Sequence, residues 1–323
     1  MRSALVCASL AILAASAAPP TPAPAPAPAV PSTPLIDYHQ HLFSPDLAKL
    51  IGVDTIDAGK LIALLDSAGI RRALVLSVAY SWSNPSRNIA NDYEHVKAEN
   101  DWVSAQVARY PDRLRGFCSV NPLRDYALAE IDRCAGDPQL KHGLKLHIGN
   151  SAVDYHRSPD LARLRAVFRA ANQKHMAIVI HMRASVSRHL PYGREEARIF
   201  FDSILPEARD VPVQIAHLAG AGGYDSITDA ALSVFVDAVT RHDPRVRRLW
   251  FDVTTVSRNA TVDDLRLLAL RIRQLGPERV LFGSDAPTGG NLAPRESWVD
   301  FLKVPLTQAE FHTIASNVAP YMQ

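Results

Sequence analysis

The sequence predicts one α/β domain, a (β/α)8 TIM barrel, from three observations. Eight short apolar runs alternate with amphipathic segments, no glycine-rich turn follows the first run, and histidines and acids gather at the carboxyl ends of several different runs. The runs are 35–39, 73–79, 114–120, 143–147, 177–181, 213–217, 249–253 and 280–284, each dense in Val, Ile, Leu or Phe, as parallel strands covered on both faces must be. Segments 57–67, 88–109, 159–174, 194–205, 225–240 and 261–274 lie between them and carry apolar residues at helical spacing. Ser158 before Pro159, and Thr261 before two aspartates, offer helix N-caps.

An open, doubly wound sheet would show the same alternation. The first run, however, leads into His39-Gln40-His41-Leu42-Phe43 instead of the glycine-rich turn that cradles a dinucleotide phosphate. Polar residues at many strand ends fit a closed barrel, where those ends share one mouth.

Composition narrows the classes of function. With 323 residues, 47% hydrophobic and 21% charged, and 35 basic against 33 acidic side chains, the chain is neither disordered nor collagen-like. Its near-neutral balance also argues against a nucleic-acid partner, and the basic run Arg245-Val246-Arg247-Arg248 sits where a strand begins, at the face opposite the mouth.

Residues 1–18 read as a secretory signal peptide: Arg2, an apolar run over 4–13, then small residues. The run is shorter than the roughly 20 residues of a membrane-spanning helix. Residues 19–34 form an Ala/Pro-rich tether whose prolines remove backbone donors and favour an extended chain. This leaves 35–323 as the barrel and points to a secreted or periplasmic protein without stable membrane insertion after leader removal; a homodimer is left open. Beyond Cys7 in the leader, Cys118 and Cys134 are too few for a disulfide scaffold and are expected as buried apolar fillers, although a bond between them is possible.

The chemistry-bearing residues end four of the eight runs. His39 and His41 lie two apart on an extended chain and so share one face. His181 ends the fifth run, His217 the sixth, and Asp285 follows the eighth in Gly283-Ser284-Asp285-Ala286-Pro287. Each alone is compatible with a structural role. Together they converge on one mouth as imidazoles plus a carboxylate, a set suited to one divalent metal ion, Zn first and Mn or Fe as alternatives.

On these residues the chain resembles the amidohydrolase superfamily, and within it the branch typified by aminocarboxymuconate-semialdehyde decarboxylase. The likeness runs from Leu35 onward through Ile36-Asp37-Tyr38-His39-Gln40-His41, Gly143-Leu144-Lys145-Leu146-His147, Ile180-His181, Ala216-His217-Leu218-Ala219-Gly220, Leu281 to Pro287, and Ile314 to Ala319. It implies that His39, His41, His181 and Asp285 bind the ion, that His217 is the acid/base group, and that Asp285 can share that duty. Asp37 could buttress a ligand or simply cap.

Lys145 shares a strand face with His147 and has three readings: a carboxylated bridge between two metals, a mouth cation that orients substrate, or a partner of an interior acid such as Asp252. His147, Arg183 and Trp82 are further expected substrate contacts, with Arg188, Tyr80, Ser81, Ser83 and Asn121 nearby in sequence. His95, His142, His156, His175, His189, His242 and His312 have no expected role. The resulting expectation is a metal-dependent hydrolase in which metal-activated water attacks an ester, lactone or amide of a small, carboxylated substrate. The alternative is non-oxidative decarboxylation on the same scaffold, with the leader favouring hydrolysis. A metal-free binding barrel is a third reading.

Overall fold

The computed structural model describes residues 33–286 and 290–323. The expected leader and all but the last two residues of the tether lie outside the described residues, as does Pro287. Eight strands follow in chain order: β1 Ile36–Gln40, β2 Arg72–Leu76, β3 Leu114–Ser119, β4 Gly143–His147, β5 Ala177–His181, β6 Val213–Ile215, β7 Leu249–Asp252 and β8 Val280–Leu281. Each pairs in parallel with the next, giving the order β1 to β8. Two backbone bonds bring the eighth strand's end to the first: Tyr38 N–H donates to Phe282 O (2.9 Å) and Asp285 N–H to His39 O (2.8 Å). The architecture is a (β/α)8 barrel.

Around it lie α1 Pro45–Ile51, α2 Ala58–Ala68, α3 Asp92–Ala108, α4 Ala127–Gly136, α5 Ile148–Ser151, α6 Ser158–Gln173, α7 Arg194–Ile199, α8 Ser226–Thr240, α9 Val262–Leu275, α10 Pro294–Phe301 and α11 Gln308–Ser316. Thr261 caps α9 in a reciprocal capping box with Asp264. Ser158 is a correction: it is the first helical residue of α6, Arg157 holds the cap position without a side-chain bond, and Pro159 fits the first turn because no donor is needed there. The helix expected from 88 begins at Asp92, since Asn88 and Asn91 both adopt left-handed backbone. The segment 194–205 passes from α7 into a π turn, Phe200–Ile204, and a 3₁₀ turn containing Pro206, which has no N–H to continue an α-helix. Among the described residues no helix is long and apolar enough to cross a membrane.

Strand alternation sorts side chains into two layers. Leu144, Leu146, Ile178, Ile180, Val213, Ile215 and Phe251 face the helices, and Ile36, Tyr38, Leu74, Leu76, Phe117, Val179 and Leu281 fill the barrel's interior. Polar interior positions, His39, Lys145, Gln214 and Asp252, are all fully or almost fully buried. Cys118 and Cys134 correct the expectation of unpaired fillers: β3 and α4 bring their Cα atoms to 6.1 Å and a disulfide joins them.

Candidate metal centre

Strand β1 delivers His39 and the residue just after the strand, His41, to the mouth, and the chain after β8 turns back to deliver Asp285. One ligand atom from each of the three lies within 4.8 Å of the others. Each imidazole is held from behind. His39 Nδ1 lies 3.2 Å from Asp252 Oδ2, and His41 Nδ1 lies 2.7 Å from Leu76 O. A carboxylate and a carbonyl only accept, so both rings carry their proton on Nδ1 and turn a bare Nε2 toward the mouth.

His41 Nε2 is 3.3 Å from Asp285 Oδ1, an oxygen with no hydrogen-bond partner of its own. Two lone-pair atoms thus face one another in a buried place, an arrangement that a cation between them satisfies. Burial, then the Lys145 ammonium, lower His39 to about 3 and keep it a neutral ligand. Burial opposes ionisation of Asp285, yet its position beside His41, His39 and His217 holds the carboxyl below its usual range. The donor set therefore fits a divalent ion in the chemistry of its atoms and in their protonation.

Lys145 Nζ is 3.2 Å from His39 Nε2, donating into the lone pair that a metal would use, so an ion held there would have to displace this ammonium. No salt bridge to Asp252 forms among the described residues; the pairing expected as one reading of Lys145 is replaced by the His39 contact. Burial lowers Lys145 to about 8.

His217 is the sixth strand's contribution. It and Leu218 both adopt left-handed backbone, at φ 53° and 48°, which aims the ring across the mouth at a cost of order 1–3 kcal/mol per residue. Its N–H donates to Asp252 Oδ1 (2.8 Å), and its Nδ1 lies 3.1 Å from Thr254 O, so Nε2 is the free, bare nitrogen. Burial lowers its pKa despite Asp252 and Asp285. The ring sits 4.8 Å from that of His39 and 4.9 Å from that of His181.

His181 lies outside the trio: its ring stacks on His147 at 3.9 Å, and burial lowers the pKa of both. His147 Nδ1 accepts from Asn150 N–H (3.2 Å), so its neutral ring presents Nε2–H as a donor. Arg183 is paired with Asp225 at 2.9 Å. Trp82 stands behind the mouth, buried and stacked on His95 at 4.4 Å; Tyr80 takes the position against His147, with the rings 5.1 Å apart. Asp37 holds no imidazole: it accepts from Gln40 Nε2, Ser284 Oγ and two backbone N–H groups, tying β1 to the chain after β8. Asn121 supports the turn after β3.

Cavities open at the mouth among the described residues. One, about 330 Å³, is lined by Asn84, His147, His181, Arg183 and Arg188; another, about 450 Å³, by Thr255, Arg258, Asp285 and Asn291. A larger one, about 640 Å³, lies at the amino ends of β1 and β2 beside Arg71, Arg72 and Asp112, remote from every mouth histidine.

The residue that sequence reasoning missed in its main role is Asp252. It organises the centre, accepting from His39, His217, Gln214 Nε2 (2.6 Å) and Thr254 N–H (3.2 Å).

The family profile described as Amidohydrolase matches residues 36–319. The chain belongs to the amidohydrolase family. No curated protein matches this amidohydrolase in sequence. Among solved structures it is similar to 5-carboxyvanillate decarboxylase from Sphingomonas paucimobilis, at 16% identity and a TM-score of 0.60 over 88% of this chain and 96% of the other. It is also similar to dihydroxybenzoic acid decarboxylase from Polaromonas sp. JS666, with bound manganese and 2-nitroresorcinol, at 16% identity and TM-score 0.59 over 88% and 95%. A probable 2-pyrone-4,6-dicarboxylic acid hydrolase from Acinetobacter baumannii, with citric acid bound, matches at 17% identity and TM-score 0.58 over 87% and 95%. The chain is an enzyme of this family, and the solved structures that share its fold include decarboxylases and a probable hydrolase.

Proposed function

We propose that the barrel mouth holds one divalent metal ion on His39, His41 and Asp285, with His181 completing the set, and that the enzyme removes the carboxyl group of a small, carboxylated organic acid without oxidation. The observation that carries the metal is the facing pair of bare acceptors, His41 Nε2 and Asp285 Oδ1. When bound, the ion supplies positive charge that anchors a carboxylate and stabilises negative charge beside it.

The remaining work falls to the chain. His147 Nε2–H donates to the substrate from one side. Arg188 has no carboxylate partner among the described residues and answers a second acidic group, whereas Arg183 is already paired. The bond to the carboxyl carbon breaks, CO₂ leaves, and the electron pair left on carbon takes a proton that His217 Nε2, bare at rest, first accepts from water. Support for decarboxylation over hydrolysis comes from the two decarboxylases among the named neighbours. Hydrolysis of an ester, lactone or amide is the second reading, favoured by a neutral His217 able to take a proton from attacking water.

A secreted or periplasmic location belongs to the same proposal. Its support is the leader pattern and the Cys118–Cys134 bond, which persists in oxidising compartments.

The test is metal analysis of the purified protein, followed by incubation of the Zn- or Mn-loaded enzyme with hydroxylated aromatic acids and with lactones. One equivalent of metal and CO₂ release are expected; acid release without CO₂ would replace decarboxylation by hydrolysis. His217→Asn should lose turnover and keep the ion, and Asp285→Asn should lose both. Full activity in either variant overturns the residue assignment.

A further inference from the structure

The chain beyond α11 enters the amino end of the barrel and fills it. Ala319, Tyr321 and Met322 pack with Ile36, Leu74 and Phe117 in the interior core. Backbone carbonyls of this segment are gripped from the strands, Met322 O by Arg72 Nη1 (2.5 Å) and Tyr321 O by Arg115 Nη1 (2.6 Å), while Ala319 N–H donates to the Tyr38 hydroxyl (2.8 Å). These contacts explain a plug. They leave unexplained why the residue that packs on Tyr38 and Phe117 is a tyrosine rather than a phenylalanine.

The hydroxyl has a specific destination. Tyr321 Oη donates to Gln214 Oε1 at 2.5 Å, and Gln214 Nε2 donates to Asp252 Oδ2 at 2.6 Å. That same oxygen receives His39 Nδ1, while the other carboxylate oxygen receives the His217 backbone N–H. Gln214 is fully buried, and an amide can turn either edge toward Asp252. The Asp252 carboxylate and the Tyr38 carbonyl (3.4 Å) only accept, so the NH₂ edge faces them and Oε1 is left for the Tyr321 hydroxyl to hold in place. The alternative orientation would set oxygen against oxygen.

We infer that Tyr321 is a positioning residue for the metal centre, acting through Gln214 and Asp252 to fix the ring of His39 and the backbone that carries His217. The inference rests on the metal centre proposed above and extends it to the opposite end of the barrel. Removing the hydroxyl leaves the Gln214 carbonyl buried without a partner, so the amide shifts, its bond to Asp252 weakens, and the carboxylate holds the ring of His39 less firmly.

The experiment measures the metal dissociation constant of the metal-stripped full-length chain by competition with a chromogenic chelator. Wild type, Tyr321→Phe, Gln214→Met and the double variant are compared, with the unfolding midpoint of each metal-free protein recorded. Tyr321→Phe keeps the ring that packs against Tyr38 and Phe117 and should weaken zinc binding about 3- to 10-fold, less than the roughly 10- to 100-fold of a residue touching a ligand directly. In the Gln214→Met background the same substitution should have no further effect, since the link it uses is gone. A merely structural role would lower the unfolding midpoint, leave the dissociation constant within twofold of wild type, and add to the effect of Gln214→Met; any of the last two results overturns the inference. Wild-type protein that takes up no zinc would instead overturn the metal centre and the inference with it.

Discussion

His39 Nδ1 and Asp252 Oδ2 lie 3.2 Å apart at the centre of the barrel, between the mouth and the packed interior. The pair sets the orientation of a ligand ring, and the same carboxylate anchors the His217 backbone at 2.8 Å. Asp252→Asn keeps the shape but can offer NH₂ where a carboxylate oxygen accepted, which sets donor against donor at His39 Nδ1 or forces the other tautomer. Metal affinity should fall about 10- to 100-fold, as for other partners of ligating histidines. Chelator competition checks it; affinity within threefold of wild type would show that Asp252 does not orient the ligand.

Gly283 supplies a second, steric handle on the same ring. A Cβ at this position would lie 2.2 Å from Thr254 Oγ1 and 2.7 Å from His39 Cβ. The hydroxyl can rotate away; the His39 Cβ cannot. Gly283→Ala should therefore cost about 1–3 kcal/mol by overpacking and also weaken metal binding by moving His39. Gly136→Ala, where a Cβ meets nothing within 4 Å at the end of α4, is the control and should be neutral or slightly stabilising. Denaturant titrations of both variants decide it: equal midpoints would remove the steric argument.

Much of this centre was legible in the sequence, because strand periodicity fixes direction. The ends of β4 and β5 were readable to the residue, and the two-residue spacing of His39 and His41 placed both rings on one side. The same rule applied to 249–252 puts Asp252 on the interior face, yet an acid ending a strand looks equally like a partner for Lys145, and only the distances separate those roles. β6 came out shorter than its apolar run as the chain turns through His217, Leu218 and Ala219 in left-handed backbone, which no residue pattern announces in non-glycine positions. The Cys118–Cys134 bond and the reach of Tyr321 into the barrel both join segments brought together only by tertiary packing.

The disulfide gives a prediction about stability. Cys118 on β3 and Cys134 on α4 are 16 residues apart, and closing a loop of that size removes unfolded-state freedom worth roughly 3 kcal/mol. Cys118→Ser/Cys134→Ser should lower stability by about that amount while leaving metal stoichiometry unchanged, since neither sulfur is near the mouth trio. Dithiothreitol should bring wild type down to the variant and leave the variant where it was. Two reactive thiols in the denatured, unreduced protein would show that the bond is not formed.

A pH dependence follows from His156, whose Nε2 lies 2.8 Å from Oε1 of the buried Glu196. That hydrogen bond raises the His156 pKa above its ordinary value near 6.5. The folded protein consequently holds this proton more tightly than the unfolded chain does. The stabilisation is complete below the unfolded pKa and is lost as pH rises through the higher, folded one, so the window opens near pH 6.5 and extends upward. His156 is more than a third exposed, and solvent screening limits the effect to below about 1 kcal/mol. The check is the stability difference between wild type and His156→Gln, measured in urea at pH 6 and pH 8. Wild type should hold an advantage at pH 6 that shrinks at pH 8 and also shrinks with added salt; a difference that stays constant across that range would mean that the proton on His156 contributes nothing to folding.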